Sequence, residues 1–402
     1  MKIAGIVAEY NPFHNGHADH IIRTRDRAGA EASHVVAVMS GSFVQRGEPA
    51  LLPKPERVRA ALAGGVDLVV ELPLPWALSS AEGFAFGAVS LLEALGCVDV
   101  VSFGSECGDV AALEQAAAAM EDPQFTRLFR YRMDYGCSAA EAQQYALKEV
   151  GGTRAAALLD TPNNVLGLEY IKALHRLHSP IRPFTVKRTG AGHDDDYPTG
   201  GAASASYIRR LAAENRWNNA APFMPREAFH VFSEALAAGR GPTDVTRIER
   251  AILLKLRSMT AEELSAIAGV SEGLENRLYT ALSTARTLQE LLETVKTKRY
   301  PLSRLKRLIW AAVLGIPAHW ATQKPPYLRV LGMNERGREI LSAAKKHLDI
   351  PLITRGTQAD TLEGFAKEVW ETECRGADWF GFSLPSPLPR GTEYTDGLVK
   401  SE

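Results

Sequence analysis

Along the first hundred residues, short continuous apolar runs alternate with segments whose apolar positions recur at helical spacing. The runs are "KIAGIVAEY", "HVVAVMSG", "VDLVVELP" and "VDVVSFGSE"; "HADHIIRTRDRAG", "PERVRAALAGG" and "AEGFAFGAVSLLEALG" lie between them. A strand that is apolar on both faces needs cover on both, which is what a parallel sheet wrapped by helices provides. Residues 1 to about 110 are therefore expected to form a doubly wound α/β unit. Ligands of such sheets sit beyond the carboxyl ends of the strands. Four polar segments occupy those ends: "EYNPFHNGH", "SGSFVQRGEP", "ELPLPWALSSAEG" and "FGSEC".

Past residue 110 the pattern turns mostly helical. One more strand, "RPFTVKRTG", can join the sheet before a Gly- and Asp-rich stretch that is expected to be a mobile loop opening a helix at Ser204 to Tyr207. After "NRWNNAAPFMP" helical signals dominate up to about residue 320, and the tail adds the strand-like pieces "YLRVLG" and "IPLITR". The expected division is an α/β domain over 1–220 and a mostly helical domain over 221–402.

Composition narrows the class without naming a partner. A chain of 402 residues, 46% hydrophobic, can bury a large core. Its 46 Lys and Arg balance 47 Asp and Glu, so any surface for nucleic acid must be local. Cys97, Cys107, Cys137 and Cys374 lack zinc or disulfide spacing, which fits a reducing compartment. With no apolar stretch of membrane-spanning length and no charged leader, a soluble, cytoplasmic protein is expected.

The chemistry begins with the first loop. A strand ending near Tyr10, a turn at Asn11 and Pro12, and a helix starting near Gly16 would set backbone N–H groups beyond the sheet, a ready anion site. His14 and His17 are three apart, so one helical turn can carry both imidazoles to one side, and Gly16 allows close approach of a phosphate. The competing readings are a surface turn with incidental histidines and a metal site; the lack of a nearby cysteine weighs against the latter.

"NPFHNGH" resembles the HxGH motif of the nucleotidyltransferase superfamily. Together with "SGSFVQRGEPALLPK", "GVDLVVELP", "SSAEGFAFGAV", "FGSE", "PNNVLGLEYIKAL" and "KRTGAGHDD", it resembles the tRNA(Met) cytidine acetate ligase family. The likeness is dense over residues 1 to 210 and thinner through "KRYPLSRLKRLIWAAVLGI" and "YLRVLGMNERGREIL". It implies ATP-dependent activation of acetate as acetyl-adenylate, then acetyl transfer to N4 of the wobble cytidine of elongator tRNA(Met), with release of pyrophosphate and AMP.

By that resemblance Val7, Ala8, Glu9, Tyr10, Asn11, Pro12, Phe13, His14, Asn15, Gly16, His17, Ala18, Asp19 and His20 form the ATP-binding loop, with His14 and His17 on the phosphates. Gly104, Asn163 or Asn164, and Arg188 are implied as further ATP contacts. Their plain alternatives are a turn glycine, a helix cap and an exposed edge-strand charge. Lys54, with Arg46 and Gln45, could steady acetate or the leaving pyrophosphate; all three could equally be solvated loop residues. Glu71 and Glu82 could bind Mg²⁺ or act as caps and ion-pair members. "SASYIRR" resembles the superfamily's second phosphate signature through Ser204, Ser206 and Arg209, with Ala205 departing from its usual form.

For tRNA, "KTKRYPLSRLKR" gathers Lys296, Lys298, Arg299, Arg304, Lys306 and Arg307 within twelve residues. The cluster could follow a phosphate backbone, or be the solvated face of a helix whose Leu302, Leu305 and Ile309 are core. Two other functions use the same first loop. A small-molecule adenylyltransferase would leave the C-terminal region unexplained, and a non-catalytic RNA-binding protein would not need an intact His14, Gly16 and His17.

Overall fold

The computed structural model describes residues 1–27, 32–188, 203–271 and 273–401. Most of the expected Gly- and Asp-rich loop, and with it much of the "KRTGAGHDD" block, lies outside those residues. The described strands are β1 (Ile3–Ala8), β2 (His34–Ser40), β3 (Phe43–Val44), β4 (Glu48–Pro49), β5 (Leu68–Leu72), β6 (Val100–Ser105), β7 (Arg182–Lys187), β8 (Leu328–Met333), β9 (Leu352–Ile353) and β10 (Val399–Lys400).

The main sheet runs β10-β8-β5-β2-β1-β6-β7, with β9 paired to β8, and β3 and β4 form a separate small hairpin. From β5 to β7 every pairing is parallel; Ile6 lies between Ala37 of β2 and Ser102 of β6. The apolar runs are buried as expected: every residue of β2 and β5 is buried, the consequence of helices packing on both faces. Strand order reverses at β1, with β2 and β5 to one side and β6 and β7 to the other. A crevice therefore opens between the carboxyl ends of β1 and β6.

The strand expected at "YLRVLG" does more than extend the tail. As β8 it pairs antiparallel with β5, Leu68 opposite Met333, across a register shift at Val69/Val70. The division expected at residue 220 thus runs through one sheet. It also runs through a buried ionic cluster. The Lys54 ammonium lies 2.6 Å from Glu71 and 2.5 Å from Glu393, while Arg329 bonds Glu71 at 3.0 Å and the Glu393 carboxylate. All four residues are almost inaccessible. Glu373 lies close by and accepts the Leu74 N–H. Burial and the neighbouring Glu71 push its carboxyl well up. Lys54 and Arg329 thus face the paired carboxylates of Glu71 and Glu393 inside the protein.

Candidate active site

The crevice at the strand reversal is a cleft, and the first loop forms one wall. The expected helix starts at Asn15 and runs to Arg27, so its N-terminus faces the cleft. Tyr10 turns the chain with φ of 46°, a left-handed conformation costly for a tyrosine that close packing holds in place. Its ring meets Phe13 at 4.9 Å and His17 edge-on at 5.0 Å. Phe13 seats its ring over Gly64, where a side chain would collide with it.

Local hydrogen bonds set the two imidazoles. Gly16 N–H donates to His14 Nδ1 at 3.0 Å, and His14 N–H donates to His17 Nδ1 at 3.2 Å. An Nδ1 that accepts carries no proton, so each neutral ring bears its proton on Nε2 and is a donor there. The rings lie 3.9 Å apart. Gly16 is explained by the same geometry: a Cβ would sit 2.9 Å from His14 Cε1.

A second helix N-terminus faces the same space. Ser204 caps the helix Ala205–Ala213 by accepting the Tyr207 N–H at 3.0 Å. Arg209, one turn on, donates to the Asn11 carbonyl at 2.8 Å and to Ser206 Oγ at 2.9 Å, tying this helix to the first loop. Arg46, Arg188 and Arg209 all line the cleft, as do Gln45, Ser204 and Ser206. Two helix N-termini and three guanidinium groups around one crevice make a strongly anion-attracting site.

Behind the loop, buried Arg57 donates to the carbonyls of Ser40 at 2.8 Å, Gly41 at 2.5 Å, and Glu9. It locks the ends of β1 and β2 together. Burial pulls it down to about 10, and it stays cationic at neutral pH. The Glu9 carboxylate accepts the Gln45 N–H at 2.7 Å, joining β1 to the β3–β4 hairpin. His20 bonds Ser102 Oγ at 3.0 Å; burial, reinforced by Arg188, lowers its imidazole to about 4, so it is neutral.

The opposite wall carries Gly104, Asn163 and Arg188, with the apolar side chains of Phe84, Phe103, Leu166 and Tyr170. A Cβ on Gly104 would meet the Arg188 Cγ at 3.2 Å, so this glycine makes room for the arginine stem. Asn163 donates to Glu106 at 2.6 Å. Asn164 does not line the cleft; its Oδ1 takes the N–H groups of Glu106 and Cys107, fixing the loop after β6.

Val7, Ala8, Glu9, Tyr10, Asn11, His14, Gly16, His17 and His20 of the first stretch line the cleft. Phe13 is core, Asn15 bonds the Pro222 carbonyl, and Asp19 pairs with Arg23. Lys54 lies elsewhere, because Glu71 and Glu393 hold its ammonium inside the protein. Glu71 is likewise taken up by Lys54 and Arg329, and Glu82 sits in the first turn of the helix Ala81–Ala94. Neither acid reaches the cleft, so this pair does not fit a Mg²⁺ site. No cluster of three His, Cys, Asp or Glu suited to a metal occurs among the described residues.

In the basic cluster, Lys296 and Lys298 are exposed. Arg304 bonds the Gly269 carbonyl and Ser271, Lys306 pairs with Glu48, and Arg307 donates to the Gln45 carbonyl at 3.1 Å. The last two brace the hairpin that lines the cleft. Sequence reasoning missed Arg57 and the apolar wall; the one signal for Arg57 was a charge standing in the buried stripe of "PERVRAAL".

A family model described as HIGH Nucleotidyl Transferase matches residues 1–391. The tRNA(Met) cytidine acetate ligase of Acetivibrio thermocellus is 37% identical over 99% of this chain and all of that protein. That of Caldanaerobacter subterraneus subsp. tengcongensis is 39% identical over 96% of this chain and 97% of that one. Thermotoga maritima TmcAL, in a crystal structure with alpha-thio ATP, superposes over the whole of both chains with a TM-score of 0.91 at 32% identity, and its apo form with 0.93.

Proposed function

From this chain's membership of the tRNA(Met) cytidine acetate ligase family, we propose that it activates acetate with ATP and acetylates N4 of the wobble cytidine of elongator tRNA(Met). The observation that supports this reading best is the convergence of two helix N-termini, the Nε2–H donors of His14 and His17, and Arg46, Arg188 and Arg209 on one cleft at the strand reversal. The apolar wall of Phe84, Phe103, Leu166 and Tyr170 suits adenine, and the cationic side suits a triphosphate. Acetate is a poor acyl donor because its leaving group would be oxide. Attack of its carboxylate on the α-phosphorus expels pyrophosphate and gives acetyl-adenylate, whose acyl carbon the cytidine amine then attacks, releasing AMP. The chain's part is orientation and stabilisation of charge developing at phosphorus. A tRNA substrate fits work in the cytoplasm. No helix among the described residues is long and apolar enough to cross a membrane.

Incubating the protein with ATP, acetate and tRNA(Met), then digesting the RNA for nucleoside mass spectrometry, should reveal N4-acetylcytidine that depends on all three. Adenylyl transfer to a small molecule without tRNA would instead identify a small-molecule adenylyltransferase.

The geometry at Gly16 makes a sharper prediction. Gly16→Ala places a methyl group against His14, while alanine itself favours the helix. Acetate-dependent ATP–pyrophosphate exchange is expected to fall by roughly a hundredfold, the scale of a 1 Å misplacement. The melting temperature should barely move; a parallel loss of stability would mean that the loop unfolds instead.

The exposed Lys296 and Lys298 are the members of the basic cluster proposed to meet the tRNA backbone. Lys296→Ala with Lys298→Ala should weaken tRNA binding and make the log–log salt dependence shallower by about 1.5. An unchanged slope would remove both from the interface. Lys306 and Arg307 are poorer probes, since their loss would release the cleft hairpin as well.

A further inference from the structure

We propose that Glu9 is the general base of the second half-reaction, taking a proton from the cytidine N4 amine as that nitrogen attacks the acetyl-adenylate. The proposal rests on the acetate ligase reading and adds a step to it. Adenylation makes the carbonyl reactive, but the exocyclic amine of cytosine is a weak nucleophile and must shed a proton once its nitrogen bonds to carbon. A carboxylate suits both needs, because it accepts a hydrogen bond from cytosine N4–H and can then take the proton.

Among the described residues, Glu9 is what remains when the titratable groups lining the cleft are considered in turn. His14 and His17 receive backbone N–H groups at Nδ1 and carry their protons at Nε2, so they are donors. His20 bonds Ser102 and is held at about 4, too weak a base. Glu48 is paired with Lys306. The Tyr10 and Tyr170 phenols keep their protons, since burial raises both. Glu9 uses only Oε1, on the Gln45 N–H; its Oε2 makes no hydrogen bond to any described residue. Arg57 spends its hydrogen bonds on the Glu9 carbonyl and acts on the carboxylate through its charge alone. Burial raises the Glu9 carboxyl against the lowering effects of the Gln45 N–H and of Arg57, Arg209 and Arg46, which makes it a better base than an exposed glutamate.

Its position also suits a nucleic-acid substrate. The hairpin that holds Glu9 through Gln45 carries Gly47, Glu48 and Pro49 into a second, larger groove of about 880 Å³, which shares Glu48 and Arg209 with the cleft. Glu9 therefore stands on the ATP side of the wall between the two.

In the step proposed, the N4 lone pair forms the bond to the acyl carbon and the bond to the phosphate oxygen breaks, with its electron pair leaving on AMP. The amine proton moves to Glu9 Oε2 and from there to solvent.

Glu9→Gln tests this, because the amide oxygen can still accept the Gln45 N–H. Acetate-dependent ATP–pyrophosphate exchange reports the first half-reaction, and single-turnover acetylation of tRNA(Met) from preformed acetyl-adenylate reports the second. Exchange should fall less than tenfold and transfer at least a hundredfold, within the range of general-base catalysis. Wild-type transfer should rise with pH as Glu9 ionises, a limb that the variant lacks, and Glu9→Asp should recover part of the rate. Equal losses in both half-reactions would make Glu9 a ligand of ATP or of its metal and overturn the proposal, as would unimpaired transfer. Wild-type protein without acetate-dependent exchange would defeat the acetate ligase reading itself, before any variant is compared.

Discussion

His17→Ala is expected to slow acetyl-adenylate formation by roughly 10²–10³-fold, the loss that follows removal of one preorganised donor from a developing oxyanion. The size of the effect comes from how completely the ring is set before substrate arrives. Its Nδ1 is occupied by the His14 N–H, Tyr10 meets it edge-on at 5.0 Å, Phe13 lies at 5.5 Å and His14 at 3.9 Å. With the tautomer and orientation fixed locally, the Nε2–H needs no reorganisation when negative charge builds at phosphorus. Alanine removes the donor and the aromatic contact but leaves both helix N-termini and all three cleft arginines, so nucleotide binding should suffer less than turnover. Affinity for tRNA should change little, because the exposed lysines proposed for that role lie on another part of the chain. Acetate-dependent exchange measured beside tRNA binding checks both, and comparable losses in the two would contradict the role given to His17.

The parts of this site that could be read from sequence are those whose physics is local. Strand, turn and helix follow one another within residues 3–27, so the spacing of His14, Gly16 and His17 already implied two imidazoles at a helix N-terminus. The reason for Gly16 could not be read in the same way. Clearance for a phosphate is the general expectation at such a position, whereas here the neighbouring His14 ring fills the space. Ser204 was legible as a cap for the same local reason. What stayed hidden depends on distant partners. Lys54 looked like a loop cation until Glu393, 339 residues away, came to lie against it. Arg307 sat in a basic run, yet it braces Gln45 across 262 residues. The strand at 328–333 was visible as an apolar piece, but its antiparallel place beside β5 is a property of the assembled sheet.

That long-range assembly carries the other large effect. Glu393→Ala should destabilise the fold by about 3–5 kcal/mol, the range for breaking a buried ion pair from one side. The loss is large because the Lys54 ammonium and the Arg329 guanidinium would remain buried with Glu71 as their remaining ion-pair partner. Glu373 offers little relief, since burial and Glu71 both favour its protonated form, and one of its oxygens is already engaged by the Leu74 N–H. Burial alone would raise the Glu393 carboxyl, but Arg329 and Lys54 outweigh it and hold it down to about 2. A carboxyl lower in the folded than in the unfolded chain stabilises fully above its unfolded value, near 4.3, and progressively less as pH falls toward 2. The wild-type protein should therefore lose stability through that window more steeply than Glu393→Ala does. Denaturant unfolding at pH 7, 5 and 3 measures both, and Lys54→Met combined with Glu393→Gln should cost less than the sum of the single changes, since the pair is removed together. A loss below about 1 kcal/mol at pH 7, the value of an exposed pair, would mean that water reaches this cluster and that β8 and the short helix Thr392–Thr395 are held to the N-terminal strands by packing alone.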